Sequence, residues 1–265
     1  GLPVAVMGVL NVSPESFHAG SIHRAADALL RAAEAMVEAG AAFLDVGARS
    51  TAPYLTTAVD EREECERLGR AVAHLAAKVA VPVSADTARA TPARAALEAG
   101  ARVINDVSGL RDPELARLVA AHGAGLVAMA SPAAPGGEPE ATVRGLLAEC
   151  LARARAAGIP DERVVLDPGI GFFRDAAVPW PDWDLRVLAA LPALAGLGRP
   201  LCVGVSRKSF VGALTGRPAT ADRLPGSLAA TTAAVLGGAA VIRTHDVAET
   251  LDAVRVAERL REAGP

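Results

Sequence analysis

The residues with chemical potential are carboxylates, amides and cations that break out of apolar runs at regular intervals. Val83-Ser84-Ala85-Asp86-Thr87 and Val164-Val165-Leu166-Asp167-Pro168-Gly169-Ile170-Gly171 each end a hydrophobic run on an aspartate. An ionised carboxylate beside a core is costly unless something pairs with it. A heterocycle with adjacent N–H and NH2 donors is one suitable partner, because a single carboxylate can accept both; a helix N-terminus, which aspartate often caps, is the other. Val103-Ile104-Asn105-Asp106-Val107-Ser108-Gly109 adds an amide that can donate to and accept from a ring edge, and Asp106, which could face the same ring or brace its loop. Met7-Gly8-Val9-Leu10-Asn11-Val12-Ser13-Pro14 places Asn11 where its oxygen could bind a metal, its NH2 an oxyanion, or its backbone simply a turn.

Cations come later in the chain. Gly204-Val205-Ser206-Arg207-Lys208-Ser209-Phe210 sets two adjacent cations between hydroxyls, which suits an anion or a ring carbonyl, or else a solvated basic turn. Val241-Ile242-Arg243-Thr244-His245-Asp246 places Arg243 two residues from His245, a pairing that favours an anion site.

These groups need a scaffold that brings them together. Runs rich in valine and isoleucine recur near 4–9, 42–46, 81–84, 102–105, 125–129, 163–166, 201–205 and 240–243. Between them, helical periodicity covers about 23–39, 58–79, 91–99, 113–121, 141–157, 184–196, 226–237 and 247–262. None of the runs alternates polar with apolar, so the strands are expected to be buried on both faces of a parallel sheet. Nearly every run ends in polar residues: Asn11, Asp45 to Thr51, Asp86-Thr87, Asn105-Asp106, Asp167, Ser206 to Lys208, and Arg243 with His245. In a barrel these ends converge on one mouth, whereas an open sheet would spread them along a rim. The expectation is one domain over 1–265, an α/β (β/α)8 TIM barrel, with a loop at Ser131–Pro139 on the catalytic face and an irregular stretch, Phe172–Trp183, long enough to fold over the mouth.

Composition narrows the partners. A net charge of −3 offers no basic field for a polyanion or an acidic membrane, so neither nucleic acid nor membrane is expected. Cys65, Cys150 and Cys202 are an odd number at wide spacing, which fits a reducing cytosol better than a disulfide framework or a zinc site. The sequence reads as cytoplasmic, with no apolar run of the roughly 18 residues a membrane span needs.

Taken in order, the segments resemble the dihydropteroate synthase family over essentially the whole chain: Met7–Asn11 with Pro14, Ser16 and Phe17; Asp45 to Pro53; Ser84–Thr87; Asn105–Gly109; Asp167–Phe172; Ser206–Phe210; Gly226–Ala229; and Arg243–Val247. The resemblance implies a transferase of folate biosynthesis that joins the C9 methylene of 6-hydroxymethyl-7,8-dihydropterin diphosphate to the amine of p-aminobenzoate, releasing pyrophosphate. It implies that Asp86, Asn105, Asp167 and Lys208 hold the pterin. Asn11, Thr51, Arg243 and His245 would take the diphosphate, with Mg2+ near Asn11. Met129 and Ser209 would complete the substrate contacts, and Lys208, Arg243 and His245 the catalytic set. A homodimer through the last helices is the family expectation.

Departures fall on the segments that, by the resemblance, close over the acceptor. The family's Asp-Ser-Phe-Ser-Asp-Gly-Gly is here Glu15-Ser16-Phe17-His18-Ala19-Gly20, and its Gly-Glu-Ser-Thr-Arg-Pro is Ala48-Arg49-Ser50-Thr51-Ala52-Pro53. The usual Met-His is Met129-Ala130, and the usual Gly-Phe-Gly-Lys is Gly171-Phe172-Phe173-Arg174. The pterin half matches and the acceptor half does not. Three activities follow as expectations: a synthase using p-aminobenzoate or another arylamine, a pterin-binding paralogue with weak or no condensation, and methyl transfer from a reduced folate to a corrinoid. The last is disfavoured, because methyl transfer has little use for an anion site.

Overall fold

The computed structural model describes residues 3–12, 22–49, 59–131, 137–174 and 178–264, with backbone alone at 22–25. Eight parallel strands form one sheet: β1 (Ala5–Asn11), β2 (Phe43–Gly47), β3 (Val83–Asp86), β4 (Val103–Asp106), β5 (Gly125–Met129), β6 (Val164–Asp167), β7 (Cys202–Val203) and β8 (Val241–Thr244). They are hydrogen-bonded in the order β6-β5-β4-β3-β2-β1-β8-β7. A parallel bridge from Leu166 to Leu201, the residue before β7, joins the two ends and closes the barrel. The outer ring among the described residues is α1 (Ile22–Glu38), α2 (Glu61–Ala76), α3 (Ala90–Glu98), α4 (Pro113–His122), α5 (Pro139–Ala156), α6 (Trp180–Ala189), α7 (Leu191–Ala195), α8 (Ser209–Thr215), α9 (Leu224–Leu236) and α10 (Val247–Ala263).

Local chemistry sets several of these boundaries. The Asp112 side chain accepts from the Glu114 N–H at the start of α4, Pro113 follows where no N–H is needed, and Gly123 ends the helix in the left-handed region. Asp60 caps α2 in the same way through the Arg62 N–H.

Two apolar clusters follow from the closed sheet. The larger lies between strands and helices, with Leu44, Val46, Ala85, Ile104, Leu126, Leu166 and Val203 facing outward onto the helices. The smaller fills the lower barrel interior with Met7, Val127, Cys202 and Val241, backed by Ala5, Phe43, Val103 and Val165. Strands buried from both sides are apolar on both faces, which is why no alternation shows in the sequence.

The elements differ from expectation where polarity or proline masked a boundary. β3 runs to Asp86, β4 to Asp106, β6 to Asp167 and β8 to Thr244, one or two residues past the expected ends, so Asp86, Asp106 and Asp167 belong to the strands, while Asn105 and Arg243 lie inside them as expected. The helix expected over 184–196 is two, α6 and α7, because Pro192 cannot continue the α6 hydrogen-bond ladder. The irregular stretch expected over Phe172–Trp183 already contains the first turn of α6. Trp183 is buried and stacks on Phe173 at 4.9 Å between ring centroids, so it packs into the fold and does not lie across the mouth. Of the Ser131–Pro139 loop, 132–136 lie outside the described residues, and Pro139 opens α5.

Candidate active site

Side chains two apart on a strand share a face. Stepping up from the apolar floor of Phe43, Val103, Val165 and Val241 therefore reaches Asp45, Asn105, Asp167 and Arg243 on the same inner wall. β3 contributes Asp86, paired in register with Asn105 on one side and Gly47 on the other. Gly47 keeps this corner open: a Cβ there would lie 3.7 Å from Asp86 Oδ2 and 3.8 Å from Asn11 Oδ1.

Arg243 is the hub of this layer. Its Nε donates to Asp45 Oδ2 at 2.7 Å and its Nη2 to Asp86 Oδ2 at 2.8 Å, while Asn105 Nδ2 donates to Asp45 Oδ2 at 2.9 Å. Asp45 Oδ1 and Asp86 Oδ1 are buried and have no hydrogen-bond partner among the described residues. Burial pushes the Asp86 carboxyl up to about 7 against the pull of Arg243, with Asp45 and Asp106 adding to the push. Burial opposes the Arg243 charge, but Asp45 and Asp86 more than compensate and hold it above its ordinary range. Asp86 is thus poised to exchange one donor for another, and it caps no helix: α3 begins at Arg89 without a side-chain cap.

On β6, Asp167 Oδ1 accepts the Gly169 N–H at 2.8 Å. Burial raises its carboxyl, and Lys208 opposes the rise. Lys208 donates to the Ile170 carbonyl and lies 4.7 Å above the Phe172 ring. Burial lowers its ammonium to about 8, with Asp167 holding it up and Arg243 pushing it down. The loop after β6 is shaped for this contact. Gly171 has φ +87°, and a Cβ there would come within 2.7 Å of Lys208 Cδ. Asp184 of α6 holds the same glycine through its N–H at 2.7 Å. Ser209, next to Lys208, accepts from Arg174 Nη2 at 2.6 Å, and Arg174 in turn covers Trp180 at 4.2 Å.

The remaining sequence candidates sort by what they touch. His245 Nδ1 lies 3.1 Å from Ser206 Oγ; burial and then Arg243 lower its pKa, so near neutral pH it offers a hydrogen bond more than a charge. Arg207 is spent on structure, since Nε and Nη2 grip both oxygens of Asp246 at 2.8 and 2.6 Å. Asp106 braces its loop by accepting the Ser108 N–H at 2.9 Å and the Leu110 N–H at 2.5 Å. Met129 is buried opposite Asp167 in the β5–β6 register, one step above Val127. Asn11 is exposed at the end of β1. Thr51 lies outside the described residues, as do Ala19 and Ala52.

Asp45, as a residue in direct contact with Asn105 and Arg243, and Asp184 were not singled out from sequence. The two-residue step from Phe43 would have found the first; nothing local marks the second. Arg49 lies beside a carboxylate of α2. Its Nε lies 3.7 Å from Glu64 Oε2, an α2 carboxylate with 1% side-chain exposure that also takes Arg89 at 3.0 Å and the Thr87 hydroxyl at 2.6 Å.

The pterin binding enzyme family matches residues 7–245. The dihydropteroate synthase of Mycobacterium leprae is 40% identical over 278 residues, covering 99% of this chain and 95% of that protein. The dihydropteroate synthase of Synechocystis is 36% identical over 264 residues, covering 96% and 89%. Among solved structures, the Xanthomonas albilineans dihydropteroate synthase with 4-aminobenzoic acid superposes with a TM-score of 0.89 at 39% identity, covering 99% of this chain and 94% of that one. The same enzyme in complex with 7,8-dihydropteroate gives 0.87 at 37% identity, covering 99% and 95%.

Proposed function

The chain belongs to the dihydropteroate synthase family of pterin-binding enzymes, and we propose that it joins 6-hydroxymethyl-7,8-dihydropterin diphosphate to an arylamine, p-aminobenzoate first, with release of pyrophosphate. The observation that carries this reading is the inner layer of Asp45, Asp86, Asn105, Asp167 and Arg243, in which buried carboxylates hold Arg243 and keep oxygens without partners among the described residues, so that a donor-rich ring can take the place of Arg243 on Asp86. Asp86 and Asp167 accept from the ring's N–H and NH2 groups, and Asn105 and Lys208 complete its edge.

When the ring takes Asp86, the Nη groups of Arg243 are released toward the mouth, where His245 donates from beside them. Both then stabilise charge as it develops on the departing diphosphate. The C9–O bond breaks with its electron pair going to the diphosphate, and the electron-rich dihydropterin stabilises the resulting C9 cation. The arylamine nitrogen forms the new C–N bond and sheds a proton. Asn11 is the residue that would share Mg2+ with the diphosphate: one amide oxygen, with phosphate oxygens and water, is a donor set this ion accepts. Among the described residues there is no cluster of three or more His, Cys, Asp or Glu that could hold a metal. When bound, Mg2+ would neutralise diphosphate charge.

A second reading, a pterin-binding protein with weak condensation, is favoured by Ala19 and Ala52 in place of the family's Asp and Arg, and by Arg49 being drawn to Glu64. One experiment separates the two. The protein is incubated with the pterin diphosphate, Mg2+ and a panel of arylamines while pyrophosphate is followed. Amine-dependent release supports the synthase, and measurable pterin binding without release under any amine supports the second reading.

The homodimer fits the same reading. Leu236 of α9 and Val256 and Leu260 of α10, two helices packed on each other, are large apolar side chains left 48%, 59% and 54% exposed.

A further inference from the structure

Resting on the pterin reading above, we infer that Asp45 is the positioning residue of the site: it fixes which end of the Asn105 amide meets the ring and serves as the pivot on which Arg243 moves from Asp86 to the leaving anion. Asp45 touches neither the ring nor the diphosphate in this account and acts only through those two side chains.

The chemistry of the contact forces the first half. Asp45 is fully buried on β2, and an ionised carboxylate only accepts. Asn105 can therefore meet it only with Nδ2, which it does at 2.9 Å. That choice turns Asn105 Oδ1 away from Asp45. The ring then faces an acceptor on β4 as well as the carboxylates of Asp86 on β3 and Asp167 on β6. A wall of acceptors selects a heterocycle with several N–H donors and rejects one that presents carbonyls at the same edge.

The second half follows from which guanidinium nitrogen Asp45 takes. It holds Nε at 2.7 Å, the nitrogen nearest the stem, and leaves the Nη groups to others; Nη2 is on Asp86 at 2.8 Å. Because the guanidinium is planar, the motion that keeps the Asp45 contact is a tilt about the Nε–H···Oδ2 axis with the stem torsions adjusting, and it carries Nη2 off Asp86. The buried Asp45 carboxylate thus stays paired with a cation throughout, which avoids the cost of an isolated interior charge.

A double-mutant cycle on pterin affinity tests this, with 6-hydroxymethyl-7,8-dihydropterin, lacking the diphosphate, as the probe. Asp45→Asn is expected to weaken binding by about tenfold, within the range seen for directly coupled residues. In an Asn105→Ala background the same change is expected to cost about threefold or less, because the Asn105 half of its action is gone and only the Arg243 half remains. Additive losses would overturn the inference, since a general structural role gives the same loss in both backgrounds. The wild type supplies a measurement that needs no variant to fold. In a crystal structure with the pterin diphosphate, Asn105 Nδ2 and Arg243 Nε remain on Asp45 while Nη2 has left Asp86. An Asn105 amide turned the other way, or an Arg243 withdrawn from Asp45, overturns it. Failure of the wild type to bind either pterin sinks the parent reading and this one with it, whereas wild-type binding with additive losses sinks only this one.

Discussion

At the residue level the site is decided by how few donors the barrel supplies for its own carboxylates. Asp86 keeps one oxygen on Arg243 and the other without a partner among the described residues, and burial lifts it to about 7. The ring-binding form is the carboxylate, so protons compete with the pterin. Pterin affinity is expected to fall as pH drops from 8 through 7 toward 6, and the Asp86→Asn variant to lose the part of that slope due to this group; titration calorimetry across this range reads both. Asp86, Asn105 and Asp167 were legible in the sequence because each interrupts an apolar run, an expense that invites a partner. The division of labour among the later polar groups was not. Arg207 and Lys208 are neighbours with similar chemistry, yet one is clamped to Asp246 and the other faces Asp167. Only the backbone separates them: Arg207 sits at φ +54°, which sends adjacent side chains to different sides of the loop.

At the level of elements, the loop after β6 and helix α6 hold Lys208 in place. Asp184 is fully buried, and burial raises its carboxyl to about 6 against the Gly171 N–H and Lys208. Because the fold favours the protonated form, this group's contribution is complete below about pH 4, its ordinary range, and is lost as pH rises through 6. The shift is worth on the order of 2–3 kcal/mol across that window. Asp184→Asn retains an acceptor for Gly171 and cannot ionise, so its Tm relative to wild type is expected to improve from pH 4 to pH 6 and to level off by about pH 7; a constant offset would show that Asp184 does not titrate in this window. Gly169 makes a separate test. It has φ +71°, and a Cβ would come within 2.5 Å of the Ala130 carbonyl. Gly169→Ala is expected to cost at least about 1–3 kcal/mol in denaturant unfolding and to weaken pterin binding by displacing Asp167. The strands were found from their apolar content, which also explains the misplaced ends: a polar terminal residue looks like a loop until the closed sheet shows it paired. α8 was missed because seven residues ending at Gly216 carry too little periodicity to register.

For the whole molecule, the barrel brings residues from β2, β3, β4, β6 and β8 onto one inner wall, and their separation along the chain leaves no spacing motif for sequence to show. Convergence had to be inferred from seven polar strand ends among eight runs. The apolar surface on α9 and α10 gives the oligomer prediction: Val256→Glu with Leu260→Glu is expected to convert a dimer to monomers by light scattering without moving pterin affinity, and a wild-type monomer would remove the dimer from the account. The account as a whole stands on the gripping of one donor-rich ring by Asp86 and Asp167. Its most direct test is calorimetric titration of the wild type, Asp86→Asn and Asp167→Asn with 6-hydroxymethyl-7,8-dihydropterin diphosphate at pH 8. Each substitution is expected to cost about 2–5 kcal/mol of binding free energy, the scale for truncating one side of a buried charge-assisted contact. Folded variants that bind as tightly as the wild type would contradict it.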